Sequence, residues 1–463
     1  MKRLFISLSL ICIAVASFAQ GVTGDWYGLL KVPGGQLHLV MHVTKTDAGY
    51  TATMDSPDQK ALGIPMDKVS FIDNQLAIGW SAGGMTYTGT FLPDSNKVNG
   101  TFKQGPGSYP LNLSREKSGV AADRPQDPKE FPYHQEEVQF TNSKAGNQLF
   151  GTLTLPSTGK PKRIVVLISG SGPQNRNSEV ALINHRPFLV LSDYLTRNGI
   201  GVLRYDDRGV GKSNGDFSSA TSADFADDAE AGVNYILSRP DLKSVAVGLI
   251  GHSEGGMIAP MVAARNKNVK FVVLLAGPGI PITELMVKQN EDMMLLGGAN
   301  NESINTAKGT IRTVYGVVIS NPTLSNSLLK QKIDSTLSVS YLKTNTGGAG
   351  GAKLTSNDFA AVLTPWFRYF LAYKPADNLV KLKCPVLALN GTLDKQVNAE
   401  ANLAGIQAAL TKAGNKRFEA VAMPGLNHLF QTTSTGSPNE YAELTETFSP
   451  VALAKVTTWI NQL

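Results

Sequence analysis

Cysteine is almost missing from this chain: its 463 residues include two, Cys12 and Cys384. Cys12 falls in an N-terminal stretch patterned as an export leader. The mature chain would then keep Cys384 alone and form no internal disulfide. Stability must come from apolar cores instead. Cys384, just ahead of a strand pattern, reads as a small packed hydrophobe. Charge is sparse as well, at 17% of residues, and the basic residues behind the net charge of +6 are scattered rather than run together. That pattern serves solubility and argues against nucleic-acid binding. The N-terminal apolar run, residues 4–15, is too short to span a bilayer. Hydrophobic content of 42% suits sizeable cores, and the length calls for two domains.

Residues 1–19 have a basic start at Lys2 and Arg3, an apolar centre and a Ser17-Phe18-Ala19 cleavage pattern. This is a signal peptide cut before Gln20, and the expected location is periplasmic or secreted. Residues 20–117 are rich in strand patterns. Leu37, Leu39, Met41 and Val43 alternate with their neighbours, and turn signals recur at Gly24-Asp25, Asp55-Ser56, Asp73-Asn74 and Asp94-Ser95. About eight short strands and almost no helix predict a small antiparallel barrel or sandwich. His38 and His42 stand four apart on a strand, roughly 13 Å at ~3.3 Å per residue, too far to share one metal ion. Residues 118–134, with three prolines and mixed charge, read as a linker.

From residue 135 to 463 strand and helix patterns alternate. An opening hairpin (137–141 and 149–155) precedes strands at 164–168, 201–205, 245–250 and 271–275, with helices at 188–197, 225–237 and 254–264 between them. Uninterrupted apolar strands of this kind belong to parallel sheets. The alternation stops at about 281–373, a largely helical stretch interrupted by glycines at 347–351, which predicts a cap over the sheet edge. It resumes with strands at 386–389 and 418–422 and helices at 399–413 and 451–462.

Gly251-His252-Ser253-Glu254-Gly255 lies between the strand at 245–250 and the helix that follows. A strand–turn–helix around G-x-S-x-G is the setting of a nucleophile elbow. A serine hydroxyl needs a base within reach, and the order expected on such a sheet is serine, acid, histidine. Of six histidines (38, 42, 134, 185, 252 and 428), only His428 follows Ser253. Asp394 stands just beyond the strand 386–389 and its Asn390-Gly391 turn, with Asp377 and Glu400 as fallbacks. The proposed oxyanion donors are backbone N–H groups: Glu254 after the nucleophile, and Ser171 or Gly172 in the loop after strand 164–168, with Gln174 behind them. Pro173 has no N–H to offer. The Glu254 side chain reads mainly as favourable to the helix dipole, with binding of a substrate amine as the second reading. Gly209-Val210-Gly211-Lys212-Ser213 is not a phosphate loop, because one residue separates its glycines where four are needed. Arg208 there reads as a buried tie between loops. Met286, Met293, Met294, Trp366, Phe367, Tyr369 and Phe370 are candidates for an apolar acyl pocket, and Gln174 and Trp366 for substrate contacts.

Taken together, these motifs resemble the α/β-hydrolase superfamily, and within it the exported bacterial esterases related to the serine aminopeptidase-like hydrolases. The resemblance rests on 168–174, 204–213, 251–256, Leu389-Asn390-Gly391 with Asp394, and Leu426-Asn427-His428, and covers about residues 135–463. Gly24-Asp25-Trp26-Tyr27-Gly28 looks more loosely like the β-domain that precedes many such hydrolases. Ser169 replaces the histidine that many relatives carry before the loop glycine. The resemblance implies Ser253, Asp394 and His428 as a triad, a small-molecule ester of short acyl chain as substrate, and no cofactor or metal. The alternatives are an aminopeptidase, dipeptidyl peptidase or amidase with the same triad, anchoring an amine through Glu254, Glu284, Glu291 or Asp292, and a binding protein with a relic site. Oligomeric state is open at this stage.

Overall fold

The computed structural model describes residues 21–32, 35–56, 59, 61–105, 107–115, 124–344 and 354–463. The expected leader 1–19, the glycine run 347–351 and part of the expected linker 118–134 lie outside the described residues. The chain divides into two compact units, Met1–Ala121 and Ala122–Leu463. No helix among the described residues is long and apolar enough to cross a membrane.

The first unit is one antiparallel sheet. Its strands are β1 (Gly24–Val32), β2 (Gly35–Thr46), β3 (Gly49–Ser56), β4 (Ala61–Met66), β5 (Lys68–Ile72), β6 (Gln75–Trp80), β7 (Met85–Leu92), β8 (Lys97–Gln104), β9 (Gly107–Pro110) and β10 (Leu113–Ser114). They run in the order β4-β3-β2-β1-β10-β8-β7-β6-β5, with β9 beside β8. The two outer strands, β4 and β5, are separated by Asp67 alone, so the sheet curls into a nearly closed barrel. Trp26, Met41, Leu76 and Tyr87 fill its interior. The described residues form ten strands where about eight were expected. β9 and β10 are too short to show alternation, and one residue between β4 and β5 is no turn signal. His42 spends both ring nitrogens on carboxylates, Asp25 at 2.7 Å and Asp55 at 3.0 Å, bridging β1, β2 and β3.

The second unit is an eight-stranded sheet between helices. It opens with the hairpin β11 (His134–Thr141) and β12 (Gln148–Leu155), then β13 (Arg163–Ile168), α1 (Pro187–Arg197), β14 (Gly201–Tyr205), α2 (Ser222–Ser238), β15 (Ala246–His252), α3 (Gly255–Arg265) and β16 (Val269–Leu275). Next come the cap helices α4 (Ile282–Leu296), α5 (Asn301–Ile319), α6 (Asn326–Thr344) and α7 (Pro365–Ala372), then α8 (Ala376–Leu379). The sheet resumes with β17 (Val386–Gly391), α9 (Ala399–Lys412), β18 (Phe418–Met423) and α10 (Pro450–Gln462). The order is β11-β12-β14-β13-β15-β16-β17-β18, antiparallel across β11, β12 and β14 and parallel elsewhere. This is the α/β-hydrolase fold.

Period-two packing divides each buried strand between two cores. Ile164, Val166 and Ile168 of β13 join the core that includes residues of α2 and α3, whereas Val165 and Leu167 join the one with residues of α1 and α10. Helix α2 begins three residues before the apolar pattern that marks it, because Asp224 turns back to accept from the Thr221 N–H (2.9 Å) and hydroxyl (2.7 Å). The basic residues that look scattered along the chain are partly gathered here. Lys162, Arg163, Lys267, Lys383 and Arg417 surround a hollow of about 870 Å³ where the parallel strands begin, at the edge opposite Ser253.

Leu203 is fully buried in β14, so Leu203→Ala is expected to lower stability by about 3 kcal/mol through a cavity in the sheet. Leu237→Ala, at a position 39% exposed on α2, is expected to stay within about 0.5 kcal/mol. Urea unfolding monitored on both variants checks the difference.

Candidate active site

Strand β15 runs into a turn so tight that side chains are excluded from it. A Cβ on Gly251 would lie 2.0 Å from the Gly255 carbonyl oxygen, and one on Gly255 would lie 2.1 Å from the Ile168 carbonyl oxygen. Ser253, between them, takes a left-handed φ of +55°. Its N–H donates to the Leu275 carbonyl at the end of β16 (2.9 Å), and its carbonyl accepts from Gly256 (2.8 Å). Such backbone strain costs on the order of 1–3 kcal/mol, and here it lifts the serine off the end of its strand.

Asp394 and His428 reach the same edge from β17 and β18. Asp394 Oδ1 accepts from the Gln396 and Val397 N–H groups, both at 2.8 Å. Its Oδ2 is 2.8 Å from His428 Nδ1. Both side chains are buried, 2% and 4% exposed. The two loops are pressed together: a Cβ on Gly391 would meet the Leu426 carbonyl oxygen at 2.1 Å, and Leu393 N–H donates to that same oxygen (3.0 Å). The His252 ring adds a third constraint, with Nε2 2.8 Å from the His428 carbonyl oxygen. Burial depresses the His252 pKa to about 3, so the ring is neutral and donates Nε2–H to that carbonyl. The second residue of the pentapeptide thus secures the histidine loop, a role the sequence pattern does not show.

Ser253 and His428 line one cavity of about 400 Å³, with Asp394 behind His428. The loop after β13 forms one side of it. Gly170, Ser171 and Gln174 line the cavity, whereas Gly172 does not. Gly170 is the closest approach: a Cβ there would sit 3.2 Å from the Ser253 Cβ. Asp207, just past β14, clamps this loop by accepting from Ser169 Oγ (3.0 Å) and Gln174 N–H (2.9 Å). Gln174 in turn donates from Nε2 to the Ser171 carbonyl (3.2 Å). Burial raises the Asp207 pKa to about 7; these hydrogen bonds oppose the shift, and nearby Glu254 and Asp228 add to it. Further along, Arg208 donates to Asp228 (2.6 Å), tying loops together, and Lys212 pairs with Glu137 at the surface (2.7 Å).

Glu254 caps α3 at the elbow, but its side chain does not serve the helix end. It is 2% exposed, and Oε1 accepts from Ser222 Oγ (2.6 Å) and Trp366 Nε1 (2.8 Å). The cap closes the remaining wall with Trp366, Phe367, Phe370, Leu285 and Met286. Of the other pocket candidates, Met293, Met294 and Tyr369 do not line it. Gln396 and Tyr441, unmarked in the sequence, do line it and hydrogen-bond each other at 3.0 Å. The acidic residues considered as amine anchors are committed elsewhere: Glu284 to Arg312 (2.9 Å), Glu291 to Lys308 (3.0 Å) and Asp292 to Lys288 (2.5 Å).

The buried groups oppose one another in acid. With a folded pKa of about 7, Asp207 holds a proton between pH ~4 and ~7 that the unfolded chain releases, so its contribution to stability falls as pH rises through that window. His252, at about 3, and buried His185, at about 4, refuse protons that the unfolded chain takes up below about 6.5, so their contribution falls as pH drops. Asp207→Asn removes the first effect and leaves the second. Its stability is expected to fall more steeply than wild type from pH 6.5 to 4.5, by up to about 1.4 kcal/mol per pH unit. Parallel unfolding curves across that range would contradict the assignment.

The chain is similar to several known proteins over parts of its length. Residues 160–333 match the family described as serine aminopeptidase, S33, and residues 360–450 match the prolyl oligopeptidase family. Over 161 residues the chain is 32% identical to the esterase EstD of Thermotoga maritima, covering 34% of this chain and 38% of EstD. Over 145 residues it is 28% identical to the uncharacterized protein YfhR of Escherichia coli O157:H7, covering 31% of this chain and 47% of that protein. The matches therefore span less than half the length of these curated relatives. Among solved structures, the Pyrococcus furiosus esterase Pf2001 superposes with a TM-score of 0.44 at 16% identity, over 72% of this chain and 93% of that one. A strand order with one reversed strand and a serine on a glycine-walled elbow make up the α/β-hydrolase fold, and over parts of its length the chain is similar to two hydrolase families.

Proposed function

We propose that this hydrolase is a serine esterase that cleaves short-acyl carboxylic esters through an acyl-enzyme. The observation that carries the reading is the meeting of Ser253 and His428 in one cavity, with Asp394 bonded to the far ring nitrogen of His428. In this scheme His428 takes the Ser253 proton as Oγ attacks the ester carbonyl. It then returns that proton to the departing alkoxide, which leaves as the alcohol. Water, deprotonated by the same ring, attacks the acyl-enzyme and releases the carboxylic acid. Asp394 holds the Nδ1–H tautomer and stabilises the imidazolium. The carbonyl oxygen becomes an oxyanion between the Glu254 N–H and the N–H of the facing loop, with Ser171 better placed than Gly172 because it lines the cavity.

The cavity supports the ester over the peptide. Glu254 is its only acidic lining residue among those described, and that carboxyl is buried and already engaged. A substrate ammonium would find no free anchor there. At about 400 Å³ the volume sits at the low end for ligand sites, which favours a small acyl group against Trp366 and Phe370. EstD, a relative over part of the chain, is itself named an esterase. Export is part of the proposal and rests on the leader-like residues 1–19.

On p-nitrophenyl esters from acetate to decanoate, kcat/KM is expected to peak at the short end, with aminoacyl p-nitroanilides at least about 100-fold slower. Ser253→Ala is expected to abolish turnover. Asp394→Asn should lower kcat by about 10³–10⁴ with KM little changed, since the ring then loses its tautomer partner. Anilide turnover equal to or above that of the esters would replace the esterase reading with the peptidase one.

A further inference from the structure

The residue after the nucleophile joins three elements that are far apart in sequence. The Glu254 carboxyl is buried at the edge of the cavity, where it accepts from Ser222 at the start of α2 and from the indole N–H of Trp366 on α7. Trp366 is only half-buried; it stacks on Phe370 (centroids 5.1 Å apart, 17° between planes) and lies beside Phe367 (5.5 Å). This aromatic trio is the aromatic part of the cap's contribution to the cavity that holds Ser253. Its outermost ring is tied to the sheet body by the Glu254 hydrogen bond.

A buried carboxyl is costly unless its acceptors are used, and here one oxygen serves two donors from different elements. Such a group fixes its partners in place. An indole freed of this bond could swing about its own side-chain torsions and change the depth of the cavity. We propose that Glu254 is a positioning residue that sets acyl selectivity, holding the Trp366 indole as the fixed wall of the acyl pocket and coupling the cap to the start of α2. This rests on the esterase reading above and adds to it the determinant of chain length.

The test uses the full chain and four variants: Glu254→Gln, Glu254→Ala, Trp366→Phe, and the Glu254→Ala/Trp366→Phe double. The readout is the ratio of kcat/KM for p-nitrophenyl acetate to that for the octanoate. Glutamine can still accept both hydrogen bonds, so Glu254→Gln is expected to keep the ratio within about threefold. Glu254→Ala and Trp366→Phe are each expected to shift it at least about tenfold toward octanoate, a difference within the reach of pocket packing. The double variant should shift it no further than the larger single change, because both break one link. Rates lowered equally on both esters by Glu254→Ala, or additive shifts, would overturn the proposal. If Glu254→Ala does not fold, Trp366→Phe decides alone, and an unchanged ratio overturns it.

Fluorescence gives a second reading that needs no substrate. Each spectrum is corrected by subtracting that of its Trp366→Phe counterpart, with a Glu254→Gln/Trp366→Phe protein added for Glu254→Gln, which isolates the Trp366 emission. That emission should shift to the red in Glu254→Ala and hold in Glu254→Gln. If wild type hydrolyses no ester, the esterase reading fails, and the emission still judges the link: an unshifted Glu254→Ala spectrum overturns it.

Discussion

The site depends on places where main chains touch with no room for a side chain between them. At Gly251 and Gly255 the elbow closes against itself and against the end of β13, and at Gly391 the acid loop closes against the histidine loop. In each case a Cβ would come within 2.1 Å of a carbonyl oxygen. These contacts turn the open edge of a parallel sheet into a rigid frame. Ser253 can hold a left-handed φ because the surrounding backbone leaves it no alternative. His428 and Asp394 can sit 2.8 Å apart because their loops are already in contact before either side chain is considered. The catalytic proposal needs groups preorganised to within a fraction of an ångström, and touching main chains supply that more firmly than side-chain packing does.

A second layer of buried ionisable groups holds this frame. Asp207 clamps the loop opposite Ser253, Glu254 links the start of α2 to the cap, and neutral His252 secures the carbonyl of His428. All three are desolvated, and in each the cost of burying charge is met by a hydrogen bond with a specific structural consequence. The carboxyls shift upward and the imidazole downward, so all three are biased toward their neutral forms. A neutral surround limits competition with the charges that would develop on His428 and on the oxyanion in the proposed acyl transfer.

Much of this was legible in the sequence because it is written locally. The apolar run 164–168 specifies a buried parallel strand, and Gly251 and Gly255 mark a turn where only glycine fits. Chain order leaves His428 as the sole histidine that can follow the nucleophile. The second layer was hidden because its meaning depends on segments brought together only by folding. Nothing near Glu254 in sequence indicates that its carboxyl meets Ser222, 32 residues earlier, and Trp366, 112 residues later. Asp207 looked like part of a loop motif until its partners Ser169 and Gln174 were placed. The same cause hid the basic hollow, whose residues come from separate strand starts, and the short strands β9 and β10, which carry no readable period.

The most direct test of the central claim is the intact mass of the protein after brief mixing with p-nitrophenyl acetate and an acid quench. An acyl-enzyme pathway predicts a species heavier by about 42 Da, one acetyl group, and peptide mapping should place it on Ser253. It should be missing from Ser253→Ala. Rapid release of p-nitrophenol with no acetylated protein, or acetyl found on another residue while Ser253→Ala retains turnover, would contradict the account.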